Sequence, residues 1–258
     1  MFKGEPNLSR ARGSKAQRRL QQTHQPLENT IDFQQAVKKK NRYIELRPKT
    51  QAQERLILSL LNPNNFITVA VGPAGTGKSY LAMLAALKAL QSGSCERLVL
   101  TRPAVGVEDE SHGFLPGTLI QKMEPWTRPL LDIMKEFYHP REIAAMIEDE
   151  IIEISPLAYM RGRTFKNAWI VADEIQNATP NQVKMLLTRI GENSKIVVTG
   201  DVEQTDRTIN NNGLLDLCDK LKSHSVRGLD VCSLGSRDIQ RHPIIDSVLE
   251  IYSDTKRS

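Results

Sequence analysis

Between residues 50 and 252, short apolar runs alternate with longer stretches in which apolar residues recur every three or four positions. The short runs predict buried strands and the longer stretches predict helices. We expect strands at 66–71, 98–101, 151–154, 168–172, 195–199 and 229–233. We expect helices at 53–61, 79–90, 119–137, 180–190, 213–221 and 242–252. Strands that alternate with helices predict an α/β fold with a mostly parallel sheet flanked by helices.

The first 45 residues do not follow this pattern. They hold ten lysines and arginines and four acidic residues, which gives this segment a net charge of +6. The whole chain has a net charge of +5, so the remaining residues together are close to neutral. They contain few large apolar residues, although 28–40 has the pattern of a short helix. Such a segment buries too little apolar surface to offset the entropy lost on ordering. We therefore expect a basic, largely disordered arm at 1–45 and a folded domain at 46–258. The charge of the arm suits polyanion binding and equally suits a solvated tail.

Composition narrows the classes of protein to which the chain can belong. Apolar residues make up 40% and charged residues 25%, as in an ordinary globular domain. The sequence has neither a run of about eighteen apolar residues nor the apolar amino-terminal stretch of a signal peptide. Its three cysteines, Cys95, Cys218 and Cys232, match no metal-ligand spacing. We therefore expect a cytoplasmic protein without a membrane partner.

The strongest chemical signal follows the first expected strand, where GPAGTGKS at 72–79 matches the pattern G-x-x-x-x-G-K-[ST]. Glycines let the backbone curl so that successive N–H groups point at phosphate, and the next helix adds the positive end of its dipole. We expect Lys78 to reach the β- and γ-phosphates of ATP and Ser79 to bind Mg²⁺. The residues expected to contact the nucleotide are Gly72, Pro73, Ala74, Gly75, Thr76, Gly77, Lys78, Ser79 and Tyr80.

Two later strands also end in polar residues. Asp173 and Glu174 follow the strand at 168–172, where Asp173 is expected to bind Mg²⁺ and Glu174 to orient the attacking water. Gln204 follows the strand at 195–199 and is a candidate sensor of the γ-phosphate. Near the end of the chain, Arg237 and Arg241 are candidates to stabilise charge that develops on the γ-phosphate.

Taken together, these motifs resemble those of the PhoH family of P-loop ATPases. The resemblance covers about residues 48–252. It rests on GPAGTGKSYLA at 72–82, LTRPAV at 100–105, GFLPG at 113–117, PLAYMRGRT at 156–164, DEIQN at 173–177, LTRIG at 187–191, VVTGD at 197–201 with Gln204, and Arg241-His242-Pro243. So many blocks in the same order make coincidence an unsatisfactory explanation.

The resemblance implies a RecA-like P-loop core related to superfamily 1 helicases, ATP hydrolysis with Mg²⁺, and coupling to RNA or single-stranded DNA. It implies that Gln204 senses the γ-phosphate and that Arg241 is the arginine finger. Helicase-like proteins use a glutamine upstream of the first strand to read adenine, and Gln51 and Gln53 both fit that role. The resemblance also implies a homo-oligomer, for which a hexameric ring is a candidate. Members of the family are bacterial or phage-encoded and are often linked to phosphate starvation.

Two functions from different classes fit these expectations. The first is an ATP-driven motor or remodeller of single-stranded nucleic acid, with Arg102, Arg161 and Arg163 as further candidates for phosphate contact. The second is an ATP-dependent oligomeric switch or scaffold without strand-separating activity. A small-molecule kinase fits less well, because a glutamate beside Asp173 suits the activation of water.

Overall fold

The computed structural model describes residues 43–103, 119–204, 212–240 and 244–245, with only the backbone at 119–126. The helices are α1 (Gln51–Leu61), α2 (Lys78–Gln91), α3 (Leu119–Lys135), α4 (Pro140–Glu148), α5 (Pro180–Leu187) and α6 (Gly213–Ser223). The strands are β1 (Ile67–Val71), β2 (Arg97–Thr101), β3 (Ile152–Ile154), β4 (Ala168–Ala172), β5 (Lys195–Gly200) and β6 (Leu229–Ser233). Short 3-10 turns lie at Leu157–Met160, Ile175–Asn177 and Ser236–Asp238.

The six expected strands are all present, and β4 and β6 have the predicted bounds. One helix, α4, was not predicted. It starts with a capping box in which His139 accepts from the backbone while the Glu142 side chain accepts from the His139 N–H. Histidine is an unusual residue at the N-cap of a helix, so the sequence did not indicate that a helix begins here. The expected arm at 1–45, apart from its last residues, and nearly all of the expected helix at 242–252 lie outside the described residues.

The six strands form one sheet in the order β3-β2-β4-β5-β1-β6, and every pairing is parallel. The strand before the phosphate loop, β1, and the strand before the two acids, β4, are therefore not neighbours. Strand β5 lies between them and pairs with both, for example Val197 with Thr68 and with Val171. Because all the carboxyl ends meet at one edge, the polar residues that follow these three strands converge there.

Alternate residues along each strand pack against opposite helical layers. Val171 and Val197 face the layer that contains α1, α2, α3 and α4. Ile170 and Ile196 face α5, α6 and the 3-10 turns at Leu157–Met160 and Ile175–Asn177. Helix α2 is buried along most of its length, because it lies between the sheet and neighbouring helices. The predicted α/β class with a parallel sheet flanked by helices is confirmed. Within the described ranges, no helix is long and apolar enough to span a bilayer.

Candidate active site

The loop between β1 and α2 has a shape that suits phosphate. Gly75 and Gly77 both have a φ of +86°, a left-handed conformation that strains a residue with a Cβ atom. Gly77 directly precedes α2, so the first backbone N–H groups of that helix have no partner within it. These N–H groups and the positive end of the helix dipole lie at the carboxyl edge of the sheet, where they favour an anion.

The ammonium group of Lys78 lies inside this loop. Its Nζ donates to the carbonyl oxygens of Gly72 at 2.6 Å and Pro73 at 2.7 Å, and to the hydroxyl of Thr76 at 3.3 Å. The residue is only 7% exposed. Phosphate oxygens are stronger acceptors for an ammonium group than neutral carbonyl oxygens. The loop therefore holds Lys78 where it can exchange these acceptors for a phosphate group at the start of α2.

Asp173 brings the end of β4 into contact with the start of α2. Its Oδ1 accepts hydrogen bonds from Ser79 Oγ at 2.6 Å and from Thr199 Oγ1 at 2.5 Å. In the part of the chain that is described, no cluster of three or more His, Cys, Asp or Glu side chains forms a metal cage. A hydroxyl beside one carboxylate nevertheless suits Mg²⁺, which prefers oxygen and completes its shell with phosphate and water.

Glu174 has a left-handed backbone, with φ of +57°. Successive side chains of a strand normally point to opposite faces, and the left-handed residue breaks this alternation just after Asp173. Both carboxylates consequently reach the same guanidinium group: Arg102 lies 3.3 Å from Asp173 Oδ2 and 3.1 Å from Glu174 Oε1. Arg102 follows β2, which is the neighbour of β4, and its charge offsets that of the two adjacent acids.

A cavity of about 240 Å³ joins these groups. Its lining residues are Ala74, Gly75, Gly77, Lys78, Ser79, Tyr80, Asp173, Glu174, Gly200, Asp201 and Gln204. Six of the nine loop residues predicted to contact nucleotide are in this set, while Gly72, Pro73 and Thr76 accept hydrogen bonds from Lys78 instead. A larger cavity of about 590 Å³ lies at the opposite edge of the sheet, away from these acids and from the phosphate loop. The smaller cavity is therefore the candidate active site.

Gln204 lines the cavity and is exposed. It follows a turn in which Asp201 Oδ1 accepts a hydrogen bond from the Glu203 N–H at 3.0 Å. Asp201 is buried, and its side chain shapes this turn.

The two candidate adenine-reading glutamines differ in position. Gln51 is the first residue of α1 and is exposed, and it is not among the residues that line the cavity. Gln53 is 4% exposed and donates from Nε2 to the Thr76 carbonyl at 3.0 Å. The structure therefore brings Gln53, not Gln51, against the phosphate loop.

The two candidate finger arginines are near the carboxyl terminus. Arg241 lies outside the described residues. The preceding residue, Gln240, donates its backbone N–H to the Gly75 carbonyl at 2.8 Å, so the segment that leads to Arg241 contacts the phosphate loop. Arg237 is exposed and lies in the 3-10 turn at Ser236–Asp238.

The candidate nucleic-acid arginines fall into three situations. Arg102 pairs with the acids of the site. Arg163 forms a two-pronged ion pair with Glu153 and lies over the Phe165 ring at 4.6 Å, so its guanidinium has a structural partner. Arg161 is exposed beside Tyr159, which is 63% exposed. Of the three, Arg161 presents its side chain most openly to solvent.

Two residues that contact Asp173 and Glu174 were not predicted from the sequence. Thr199 donates to Asp173, and the buried amide of Gln176 contacts Glu174. Both lie within the sequence motifs named above. Thr199 is near the end of β5, and Gln176 is two residues after Glu174. A polar residue within a buried strand, such as Thr199 at 0% exposed, was the signal that could have identified the first.

Comparison with known proteins gives consistent matches. The family model described as PhoH-like protein matches residues 45–253. A "PhoH-like protein" of Synechocystis sp. is 42% identical over 238 residues, which cover 92% of this chain and 70% of that protein. A "PhoH-like protein" of Bacillus subtilis is 40% identical, with coverage of 85% and 68%. "Protein PhoH" of Escherichia coli is 37% identical over 188 residues, 71% of this chain and 52% of that protein.

Proposed function

This chain belongs to the PhoH-like protein family, and from that premise we propose that it binds ATP with Mg²⁺ and hydrolyses the bond to the γ-phosphate. The observation that carries the proposal is the convergence of Lys78, Ser79, Asp173 and Glu174 on one cavity. The first two residues follow β1 and the last two follow β4, and phosphoryl transfer to water requires this combination of cation, metal ligands and base.

The phosphate loop would bind the triphosphate. The N–H groups at the start of α2 would donate to the phosphate oxygens, and Lys78 would give up its contacts with Gly72 and Pro73 to neutralise their charge. Ser79 and Asp173 would hold Mg²⁺, with Thr199 fixing the orientation of the carboxylate. When bound, the ion supplies positive charge that stabilises the phosphate oxygens during transfer.

Glu174 would orient the attacking water and accept its proton. It borders the cavity next to Asp173, and its side chain is 44% exposed, so water can reach it. Gln204 would contact the γ-phosphate, because it lines the same cavity as Lys78 and Glu174. Arg241 remains the proposed finger. Of the two candidate glutamines, Gln53 contacts the phosphate loop, and its amide would have to exchange its hydrogen bonds with Lys49 and Thr76 to contact the base.

The decisive test of hydrolysis is Glu174→Gln, which keeps the size of the side chain and removes the base. We expect turnover to fall by about 10²–10⁴-fold, while Mg²⁺-dependent ATP affinity changes little. Glu203→Gln is the matched control, because Glu203 is exposed, lies near the site and is not among the cavity residues. Wild-type turnover in Glu174→Gln, or an equal loss in the control, contradicts the assignment.

Hydrolysis is further proposed to be coupled to RNA or single-stranded DNA. The support is the +6 charge of residues 1–45 and the exposed Tyr159 and Arg161, which lie between β3 and β4. We expect RNA or single-stranded DNA to stimulate the ATPase, and removal of residues 1–40 to weaken binding to nucleic acid more than basal turnover. Unchanged turnover together with the absence of salt-sensitive binding rules out this coupling.

An ATP-dependent oligomeric switch is the second candidate. It is favoured by the hydrogen bond between Gln240 and Gly75, which connects the phosphate loop to the segment that carries Arg241. An arginine that acts on a neighbouring subunit requires assembly. Particle size measured with and without ATP, alongside a strand-separation assay, distinguishes the two candidates. ATP-dependent assembly without unwinding supports the switch, and sustained unwinding supports the motor.

A further inference from the structure

The side-chain amide of Gln176 lies between two parts of the site. Its Nε2 donates to Glu174 Oε2 at 2.5 Å, and its Oε1 accepts from the Asp201 backbone N–H at 3.2 Å. The residue is 3% exposed. A buried amide that uses both its donor and its acceptor has one favourable orientation. Gln176 therefore fixes the carboxylate that follows β4 relative to the backbone that follows β5.

Gly200, the last residue of β5, provides an independent sign of this close contact. A Cβ atom on Gly200 would lie 2.5 Å from Gln176 Oε1 and 3.3 Å from the Gln176 backbone nitrogen. The φ of Gly200 is not among the positive values of the described glycines, so backbone conformation does not require glycine at this position. Space for Gln176 and for the Leu214 side chain, 2.6 Å from the same Cβ position, does require it.

Both oxygens of Glu174 are held from the protein side. Oε1 contacts Arg102 and Oε2 contacts Gln176, so the carboxylate has little freedom to rotate. On the other side of the amide, Asp201 begins the turn that leads to Gln204. A hydrogen-bonded path therefore runs from Glu174 through Gln176 and Asp201 to the turn that leads to Gln204.

We propose that Gln176 is a positioning residue that holds Glu174 and the turn at 201–204 in a single relative geometry. A change in the turn on binding or loss of the γ-phosphate is then transmitted to the carboxylate that orients water. This inference rests on the proposed function, because it assigns Glu174 to water activation. It adds a residue that acts through Glu174 and does not itself contact the reacting atoms.

Gln176→Glu tests the proposal because it keeps the shape and an acceptor for the Asp201 N–H, but replaces the donor to Glu174 with a second carboxylate. We expect kcat to fall about ten- to a hundredfold, with ATP affinity within about threefold. Repulsion between the facing carboxylates favours protonation of the pair, so the acid limb of the pH profile of kcat moves to higher pH. The added charge alone can produce this shift, so the uncharged variant Gly200→Ala separates the loss of positioning from the effect of charge.

Gln182→Glu is the matched control. It adds the same charge to the same segment, and a glutamate can still accept from the Thr179 N–H in the capping box of α5. We expect turnover and pH profile to remain as in the wild type. The same loss of kcat and the same shift of the acid limb in this control would show a general effect of charge and overturn the proposal.

Gly200→Ala is the second variant, because it displaces the Gln176 amide without a change of charge. We expect a fall in kcat without a shift of the acid limb, and melting curves to show that the protein remains folded. If the wild type hydrolyses ATP and both variants match it in rate and pH profile, this inference is wrong and the proposed function stands. If the wild type binds Mg²⁺ and ATP without hydrolysis, both are wrong.

Discussion

Two buried lysines lie at opposite edges of the same sheet and have different surroundings. Lys78 is 7% exposed and Lys195 is 8% exposed, and each donates to two backbone carbonyl oxygens. Lys78 follows the carboxyl end of β1, next to the acids of the candidate site. Lys195 begins β5 at the amino edge, beside the cavity of about 590 Å³, with its Nζ 5.3 Å from the centre of the Trp169 ring.

The difference lies in which end of a helix each ammonium group meets. Lys195 donates to the carbonyl oxygens of Leu60 at 2.5 Å and Asn62 at 2.9 Å, at the carboxyl end of α1. That end carries negative partial charge, and α1 has no basic residue in its last turn, so β5 supplies the cation. Lys78 begins α2, whose first N–H groups have no partner within the helix and carry positive partial charge that favours an anion.

This comparison teaches that burial alone does not identify a functional lysine. At the carboxyl end of a helix the ammonium group completes the protein's own hydrogen bonds. At the amino end it adds to the positive partial charge of the helix, and the two together favour an anionic ligand. The first arrangement predicts an effect on stability, and the second predicts an effect on ligand binding.

The largest expected effect is the loss of nucleotide binding in Lys78→Ala. The substitution removes charge-assisted hydrogen bonds to phosphate, so we expect the affinity for Mg²⁺ and ATP to fall about a hundredfold or more. Calorimetric titration measures this change. Lys195→Met is the control, for which we expect no change in affinity. An equal loss of affinity in that variant would contradict the prediction that only Lys78 takes part in ligand binding.

A smaller effect is expected on stability in Lys195→Met. Methionine retains apolar contact but leaves the carbonyl groups of Leu60 and Asn62 without their donor, so the free energy of unfolding should fall by about 2 kcal/mol. Urea unfolding measures the change, with ATP affinity as the second measurement. Lys78→Ala should be the less destabilised of the two variants, because Gly72 and Pro73 are only half-buried and water can reach their carbonyl groups. The reverse order of stabilities would contradict the comparison.

The smallest expected effect is the pH dependence of the free energy of unfolding that Lys195 contributes. Burial lowers the pKa of Lys195 from 10.5 to about 8. Below pH 8 the group is protonated in both states, whereas between pH 8 and 10.5 the unfolded chain binds more protons, so the stability of the folded protein rises with pH. We expect a rise of about 1 kcal/mol relative to Lys195→Met, limited by the carbonyl contacts that favour the charged form. A difference that is flat across this interval would contradict the assigned shift.

Much of the fold could be predicted because local pattern and buried position agree. The apolar run at 168–172 has no alternative to a central strand, and β4 has the predicted bounds with all five residues buried. The phosphate loop is likewise encoded locally, by glycines, a lysine and a serine at fixed spacing. In α1 the same pattern did not decide between Gln51 and Gln53, because the choice depends on which of them packs against Thr76.

The remaining features depend on contacts between distant parts of the chain. The left-handed φ of Glu174 cannot be predicted from its residue type, which rarely adopts it. The sequence made Arg163 a candidate for contact with nucleic acid, because it does not show that Glu153 in β3 forms an ion pair with this residue. Gln176 lies in the sequence motif DEIQN, but the sequence does not show that its side chain accepts a hydrogen bond from the Asp201 N–H, directly after β5.

The hydrogen bond from Gln240 to Gly75 has a practical consequence for work on this protein. A shortened version that stops before Gln240 would lose a backbone donor that steadies the phosphate loop. Affinity tags or fusion partners should accordingly not replace the residues that immediately follow β6. Crystallisation and labelling strategies that trim the tail need to retain Gln240, or a loosened phosphate loop will be mistaken for a property of the intact protein.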